Sequence, residues 1–301
     1  ETVEQANQAF DAITYSKGQA VITMLEAYVG EDAWREGVRR YMKKHAYGNT
    51  RSVDLWTAIQ DASGMPIVDI AHDFTMQPGI PLITVESSIC SGGKTTLQLK
   101  QGEFTRDRPN KQSLAWRVPV IAQGVGGQPV RTVVEGGKGS IDVPGCAPVV
   151  LNAGQSGYYR TLYTAEQFTA IRDAFPSLPA IDQLGLMNDV WSLGMAGLQT
   201  SSDYLDLAKR VPVDADPQIW ADVADSLASL DRYYAGDDAG QARLRKFAIA
   251  TLQPVFARVG WEAKKGEADP IKVLRPQLIG TLSQLGDEAV DIDELLMSPL
   301  W

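Results

Sequence analysis

The segment Gln77-Pro-Gly-Ile-Pro81 separates stretches of different hydrophobic period, and this change constrains the fold more than any other feature. Two prolines and a glycine within five residues exclude a continuous helix there. Apolar residues before the segment recur at helical spacing, whereas those after it alternate as they do in strands. We therefore expect a helical block over residues 1–79, followed by a β-rich block.

The first block is predicted to contain four helices. An apolar stripe marks the first of them, from Phe10 to Tyr28. Ser52 is expected to cap the third helix, and Pro66 suits the first turn of the fourth. The apolar positions that should form the buried faces are Phe10, Ile13, Val21, Met24, Leu25, Tyr28, Trp34, Val38, Tyr41, Met42, Val53, Trp56, Ile59, Ile67, Ile70, Ala71 and Phe74.

The second block, residues 80–152, carries short runs that alternate or are rich in β-branched residues, and such runs favour strands. Pairs of glycines separate the runs and are typical of turns. The predicted strands are 83–85, 96–99, 116–121 and 130–134, and the glycine turns are 92–93, 126–127 and 136–137. Short strands at this spacing predict a small antiparallel β-sandwich.

The third block, residues 153–301, returns to helical spacing. Thr164 and Gln167 have the spacing of a capping box, which predicts a helix start that satisfies two backbone amides. Successive helical hairpins favour a curved helical array. The further predicted helices are 182–197, 203–210, 217–234, 240–259 and 270–286. The predicted fold is therefore multidomain and mainly α, with a small β-sandwich between two helical parts.

Charge and hydropathy exclude two classes of partner. The 301 residues include 28 Lys and Arg against 37 Asp and Glu, a net charge of −9, which argues against a nucleic-acid-binding surface. The basic stretch Arg35–Lys44 is interpreted as the solvated face of a helix. No apolar run approaches the ~20 residues that a transmembrane helix needs. The oligomeric state is not predicted.

The two cysteines leave the compartment open. Cys90 and Cys146 fall near the two ends of the β-rich block, where a disulfide could join its first strand to its last. A disulfide would imply a periplasmic or secreted protein. Two buried free thiols would instead fit a cytoplasmic one.

Four landmarks in the same order resemble one known family. The first three landmarks are Phe10–Gly18, Asp73–Val85 and Leu151–Arg160, and the fourth comprises Gly260–Glu262, Leu274–Leu278 and Leu285–Asp287. Together they resemble the aminopeptidase N family of zinc metallopeptidases. That resemblance implies the end of a thermolysin-like catalytic domain over residues 1–79, a small β-sandwich over 80–152 and a HEAT-like helical array over 153–301. It also implies a parent enzyme that removes N-terminal residues from peptides.

Tyr15 is the candidate catalytic residue, on the strength of that resemblance. In the family, a tyrosine at this position steadies the tetrahedral intermediate of peptide hydrolysis. A phenol suits the role, because it stays neutral and donates a hydrogen bond at physiological pH. The helical spacing places Tyr15 away from the apolar stripe, where it would be available either to a cleft or to solvent.

The zinc site of the family has no counterpart in this sequence. The motif H-E-x-x-H needs two histidines one helical turn apart, and the chain has only His45 and His72. We expect the parent enzyme to bind Zn²⁺ through residues outside this chain, and we expect the 301 residues alone to bind none and to be inactive. A catalytically silent homologue that acts as a peptide-binding or scaffolding helical-repeat module is the alternative.

The remaining polar residues are predicted to be structural. His72 beside an apolar helix face is interpreted as a structural histidine, and His45 closes a basic helix. Asp69 and Asp73 are interpreted as carboxylates on a wet face. Lys17 and Gly18 are expected to serve the helix surface and close helix packing.

Overall fold

A computed structural model describes Glu4, residues 12–108 and residues 112–290. Within these residues the protein is a mixed α/β structure with ten α-helices and seven strands in two sheets. The chain divides into two compact units, the first holding residues 1–174 and 195–197, the second residues 175–194 and 198–301. None of the described helices is both long enough and apolar enough to cross a membrane.

Within the described residues, helices lie both before and after the strands, as the hydrophobic period predicts. Each of the five helices predicted after residue 180 lies within about two residues of its expected bounds. The helices are α1 (Ala12–Val29), α2 (Glu31–Lys44), α3 (Ser52–Ser63), α4 (Ile67–Met76), α5 (Ala165–Ala174), α6 (Ala180–Met195), α7 (Ser201–Ala208), α8 (Pro217–Tyr233), α9 (Asp238–Val259) and α10 (Asp269–Gln284).

The strands lie between α4 and α5 and form two small sheets. They are β1 (Ile80–Ser91), β2 (Lys94–Phe104), β3 (Val118–Gly124), β4 (Pro129–Val134), β5 (Lys138–Pro144), β6 (Val149–Leu151) and β7 (Arg160–Leu162). The four-stranded sheet has the order β5-β2-β1-β7, and the three-stranded sheet has the order β4-β3-β6. All pairs are antiparallel except β1 with β7, which run parallel.

The alternation that predicts strands also fixes their buried face. In β2, Leu97 and Leu99 are buried while Gln98 and Lys100 are exposed, because successive side chains of a strand point to opposite faces. Ile141 and Val143 of β5 are likewise buried, and Ile141 pairs with Leu97. Sequence analysis predicts four of the strands; β5, β6 and β7 are additional.

The first helical block buries three of the predicted residues on α1 and all four on α4, whereas Tyr28 of α1 is half-buried. Val21, Met24 and Leu25 of α1 are at most 2 % exposed, and the four apolar positions of α4 are fully buried. Phe10 lies outside the described residues. The helix predicted to be capped by Ser52 has Arg51 at its N-cap instead, where Asp54 Oδ2 accepts a hydrogen bond from the Arg51 N–H.

The apolar stripe predicted for α2 is wrong at Met42, which is 61 % exposed. The only buried residue of α2 is Gly37. A Cβ built on Gly37 would lie 2.7 Å from Ile59 Cα on α3, so the two helices meet through backbone rather than through large side chains. The basic residues of α2 form the expected solvated face, with Arg40 bound to Glu36 at 2.8 Å and Arg35 paired with Glu31.

Cys90 and Cys146 are joined by a disulfide, with Cα atoms 5.5 Å apart. The bond connects the end of β1 to the residues that follow β5. It closes a loop with a sequence separation of 56 residues. Both cysteines are exposed, so the disulfide lies at the surface of the first unit.

The predicted capping box of α5 forms only in part. Thr164 Oγ1 accepts a hydrogen bond from the backbone N–H of Gln167 at 3.2 Å, as expected. The side chain of Gln167 does not return the bond, and its Oε1 is buried without a hydrogen-bond partner. The pair therefore satisfies one backbone amide rather than the expected two.

The second unit is held by apolar helix faces and by buried ion pairs. Asp231 at the end of α8 is buried, and Arg245 of α9 binds both of its carboxylate oxygens at 2.6 and 3.0 Å. Arg275 of α10 pairs with Glu267, and both side chains are under one tenth exposed. A buried charge is tolerated only when it is paired. The Asp231–Arg245 pair joins α8 to α9, whereas the Glu267–Arg275 pair joins α10 to the segment that precedes it.

Two glycines on neighbouring helices should respond oppositely to alanine. Gly37→Ala should destabilise the protein by roughly 1–3 kcal/mol, because its Cβ would overlap the α3 backbone. Gly18→Ala on α1 should stabilise it by roughly 0.5–1 kcal/mol, since no described atom lies within 4 Å of the added Cβ. Amide hydrogen exchange of α1, α2 and α3 measures both changes. Equal effects of the two substitutions would contradict this packing.

The disulfide should contribute about 2–4 kcal/mol by restricting the unfolded chain. Replacing Cys90 and Cys146 together with serine should therefore lower the exchange protection of the buried β2 and β5 amides. The wild-type protein in a thiol reductant is the matched control and should show the same loss. Unchanged protection in both samples would show that the bond adds no stability.

Candidate active-site helix and its anchor

Tyr15 lies in the first turn of the described part of α1, and its side chain is 65 % exposed. Met24, nine residues further on, is buried in the core of the first unit. At about 100° per residue these two side chains are on opposite sides of the helix. Because the opposite face of α1 is buried, Tyr15 points away from the core of the first unit.

Lys17 ties α1 to the end of α4. Its Nζ donates a 2.8 Å hydrogen bond to the carbonyl oxygen of Gln77, the residue that ends α4. Partial burial lowers the pKa of the Lys17 ammonium. The expectation that Lys17 only covers the helix surface is therefore wrong, because a residue two positions from Tyr15 is fixed to another element.

Gln77 continues this connection to the β-rich segment. Its side-chain amide donates to the carbonyl oxygens of Asp73, at 3.3 Å, and Ala115, at 3.1 Å. Ala115 lies three residues before β3. The turn after α4 is thus bonded both to the tyrosine helix and to the strand segment.

We call the set of bonds that runs from Lys17 through Gln77 to Asp73 and Arg117 the anchor. Asp73 and Arg117 contribute its ion pair. Asp73 Oδ2 accepts the backbone N–H of Arg117 at 2.8 Å, and the Arg117 guanidinium lies 3.1 Å from the same carboxylate. Arg117 also donates to the Asp69 carbonyl at 3.3 Å and to Glu135 at 3.1 Å. The hydrogen bond to Glu135 raises the pKa of Arg117. The interpretation of Asp73 as a carboxylate on a wet face is wrong, since its side chain is 19 % exposed and fully engaged.

Aromatic packing reinforces this anchor. Phe74, the buried neighbour of Asp73, meets the ring of Tyr158 edge-on at a centroid distance of 6.2 Å. Edge-to-face pairs of this kind stabilise beyond the area that they bury. The end of α4 is therefore held on one side by charge and on the other by aromatic contact.

The histidines do not build a metal centre. His45 ends α2, where its backbone N–H binds the Tyr41 carbonyl and its ring lies 5.5 Å from that of Tyr41. His72 is exposed rather than set beside the core as predicted. Across the described ranges, no three His, Cys, Asp or Glu residues could hold a metal ion together. The residues present do not fit a zinc site.

Gly18 departs from expectation as well. It is exposed, and no atom of the described chain approaches the position of its Cβ. Close helix packing at Gly18 is therefore absent from this part of the chain. Sequence reasoning also missed Gln77 and Arg117, whose partners lie 38 and 44 residues away. No local sequence pattern marks either residue.

Two family models match this chain. Residues 1–74, which include Tyr15, match the model described as the Peptidase family M1 domain. Residues 148–295 match the model described as the ERAP1-like C-terminal domain. The described helices of the second unit all fall within the second match.

Curated relatives align along nearly the whole chain. Aminopeptidase M1-A from Oryza sativa subsp. japonica is 31 % identical over 95 % of this chain and 33 % of its own length. Tricorn protease-interacting factor F2 from Thermoplasma acidophilum is 30 % identical over 94 % of this chain and 34 % of its own. Aminopeptidase 2, mitochondrial, from Saccharomyces cerevisiae is 26 % identical over 98 % of this chain and 31 % of its own length. The chain thus spans about a third of the length of these relatives.

These matches place the chain among the peptidases. More narrowly, it belongs to the M1 aminopeptidase family, since the family models match residues 1–74 and 148–295 and the named relatives align along nearly the whole chain. The resemblance inferred from the four sequence landmarks is confirmed.

The anchor can be tested through one backbone amide. Asp73→Ala removes the acceptor of the Arg117 N–H and should lower its hydrogen-exchange protection by about tenfold, equivalent to ~1.4 kcal/mol. Asp69→Ala is the matched control, because Asp69 is exposed and its carbonyl oxygen, which alanine keeps, accepts the hydrogen bond from Arg117. It should change protection less than about twofold. Similar losses in both variants would show that the Asp73 carboxylate is not the anchor.

Proposed function

We propose that this chain is part of a zinc-dependent aminopeptidase that hydrolyses N-terminal residues from peptides, with Tyr15 stabilising the tetrahedral intermediate. The observation that carries the proposal is the Peptidase family M1 match over residues 1–74, which contains an outward-facing tyrosine on an anchored helix. Family membership and the relatives named as aminopeptidases support the activity.

The chemistry proposed for Tyr15 is hydrogen-bond donation. Hydrolysis of a peptide bond passes through a tetrahedral species in which the former carbonyl oxygen carries negative charge. The phenol O–H of Tyr15 donates to that oxygen, and its preset position means that little reorganisation is needed as the charge develops. The buried face of α1 and the Lys17–Gln77 hydrogen bond limit how far the helix that carries Tyr15 can shift.

Zinc belongs to the parent enzyme in this proposal. The described residues offer no ligand set, so its ligands would come from outside this part of the chain. The 301-residue chain alone is expected to bind no catalytic zinc and to be inactive.

The proposed architecture has three domains. Residues 1–79 form the helical end of the catalytic domain, residues 80–152 a small antiparallel β-sandwich made of β1 to β6, and residues 153–301 a HEAT-like helical array. The strand β7 joins the sandwich from outside these bounds. The ERAP1-like match from residue 148 onward supports the last boundary. The sandwich acts as a spacer and brace.

The compartment follows from the cysteines. The disulfide between Cys90 and Cys146 supports a periplasmic or secreted protein, since such bonds persist in oxidising surroundings. Thiol labelling of the protein as isolated from its own cells, without reductant, tests this. Two labelled cysteines would place it in the cytoplasm instead.

A catalytically silent homologue that binds peptides or scaffolds other proteins is the second candidate. The observation that favours it is the relative named Tricorn protease-interacting factor F2, whose name describes an interaction with another protein. An upstream sequence without H-E-x-x-H would support this candidate over the enzyme.

The catalytic proposal is tested by Tyr15→Phe in the full-length parent. The rate of hydrolysis of aminoacyl fluorogenic substrates should fall about 10²–10³-fold, because one oxyanion donor is lost. The content of bound zinc should not change, since the phenol is not a metal ligand in this proposal. Metal analysis of the same samples checks this second point.

Tyr47→Phe is the matched control, because Tyr47 is also exposed and lies outside the tyrosine motif. It should keep the wild-type rate. A Tyr15→Phe enzyme with full activity would remove the catalytic role of Tyr15. A parent that is free of zinc and inactive would leave the peptide-binding module as the better explanation.

A further inference from the structure

The outer edge of β1 is only partly covered by another strand. β7 pairs with β1 at Leu82, Ile83 and Thr84 and then ends. A β-bulge between Val85 and Ser87 follows at once, and β1 continues to Ser91. Beyond Thr84, β1 pairs only with β2 among the described strands. The backbone groups on the other side of residues 85–91 therefore have no described strand beside them.

A cleft of about 480 Å³ runs beside this open edge. One wall is the bulged part of β1, and another is the first turns of α5. The edge strand β6 contributes Val149, and the disulfide lies at the cleft as well. The lining residues are Glu86, Ser87, Ser88, Cys90, Thr95, Cys146, Ala147, Pro148, Val149, Thr164, Glu166, Gln167 and Ala170.

The charge and shape of the cleft determine which class of ligand it can bind. Its lining includes two carboxylates, Glu86 and Glu166, and no Lys or Arg, so a ligand with a basic group is favoured. The hydroxyls of Ser87, Ser88 and Thr164 suit main-chain amides. Ile89 of the open edge is 62 % exposed and offers an apolar contact on the opposite face of the strand.

We infer that the cleft binds an extended peptide segment that adds to the free edge of β1 as a further strand. Main-chain hydrogen bonds to residues 85–91 give the affinity. A lysine or arginine of the peptide faces Glu86 and Glu166. This surface is separate from Tyr15, and the inference does not depend on the proposed peptidase activity.

The test uses a blocked peptide, acetyl-Thr-Val-Lys-Val-Thr-Val-amide, with the whole 301-residue chain. The acetyl group removes the free α-amine that an aminopeptidase substrate would need, so binding reports on the cleft alone. At millimolar peptide, the NMR amide shifts of residues 85–91, 148–149 and 164–170 should change. Those of α1 should not.

Two variants and two peptides make the inference falsifiable. Glu86→Lys should weaken binding two- to fivefold, and Asp107→Lys, an exposed carboxylate away from the cleft, should not. Replacing the peptide lysine with glutamate should weaken binding to the wild type and restore it to Glu86→Lys.

Strand addition is tested by N-methylation of alternate peptide amides, which removes the donors along one edge. That peptide should lose binding. Equal binding of the methylated peptide, or an absence of shift changes around the cleft, would overturn the inference. Binding that Glu86→Lys leaves unchanged would overturn it too.

Discussion

The contact between Asp73 and Arg117 is the constraint on which the arrangement of the first unit depends. It joins the last turn of α4 to the start of β3 through a backbone N–H and a guanidinium at once. Because the turn that follows α4 also receives Lys17 from α1, the position of Tyr15 is set by residues at both ends of the helical block. Oxyanion stabilisation depends on a donor held in place before the charge develops, and this network supplies such a support. The catalytic role proposed for Tyr15 therefore rests on a non-catalytic ion pair.

Much of the fold could be predicted from hydrophobic period. Leu97 and Leu99 alternate with polar residues, and the burial of β2 follows directly. The same reasoning finds α4, whose four apolar positions are all buried. It fails at Met42, because α2 meets α3 through Gly37, and a residue without a side chain leaves no mark in an apolar pattern. It also misses β5, β6 and β7, two of which have only three residues.

The sequence predicted the chemistry of the candidate site but not the contacts that support its helix. The motif around Tyr15 pointed to the family, and the family matches confirm that assignment. The supports of the helix could not be found in the same way, because Lys17 and Gln77 are 60 residues apart and bind through a backbone carbonyl. Gln167 shows the opposite failure: local spacing predicts a closed capping box, yet the side chain lines a cleft instead. The contact between Lys17 and Gln77 is long-range in sequence, and local spacing does not predict it.

The central claim is that Tyr15 binds the transition state rather than the substrate. The most direct measurement is the inhibition constant of a phosphinic peptide, a stable mimic of the tetrahedral species, for the full-length parent and its Tyr15→Phe variant. We predict that the variant binds this mimic about 10²–10³-fold more weakly while the affinity for a product amino acid changes little. Equal affinity of both proteins for the phosphinic peptide would contradict the claim.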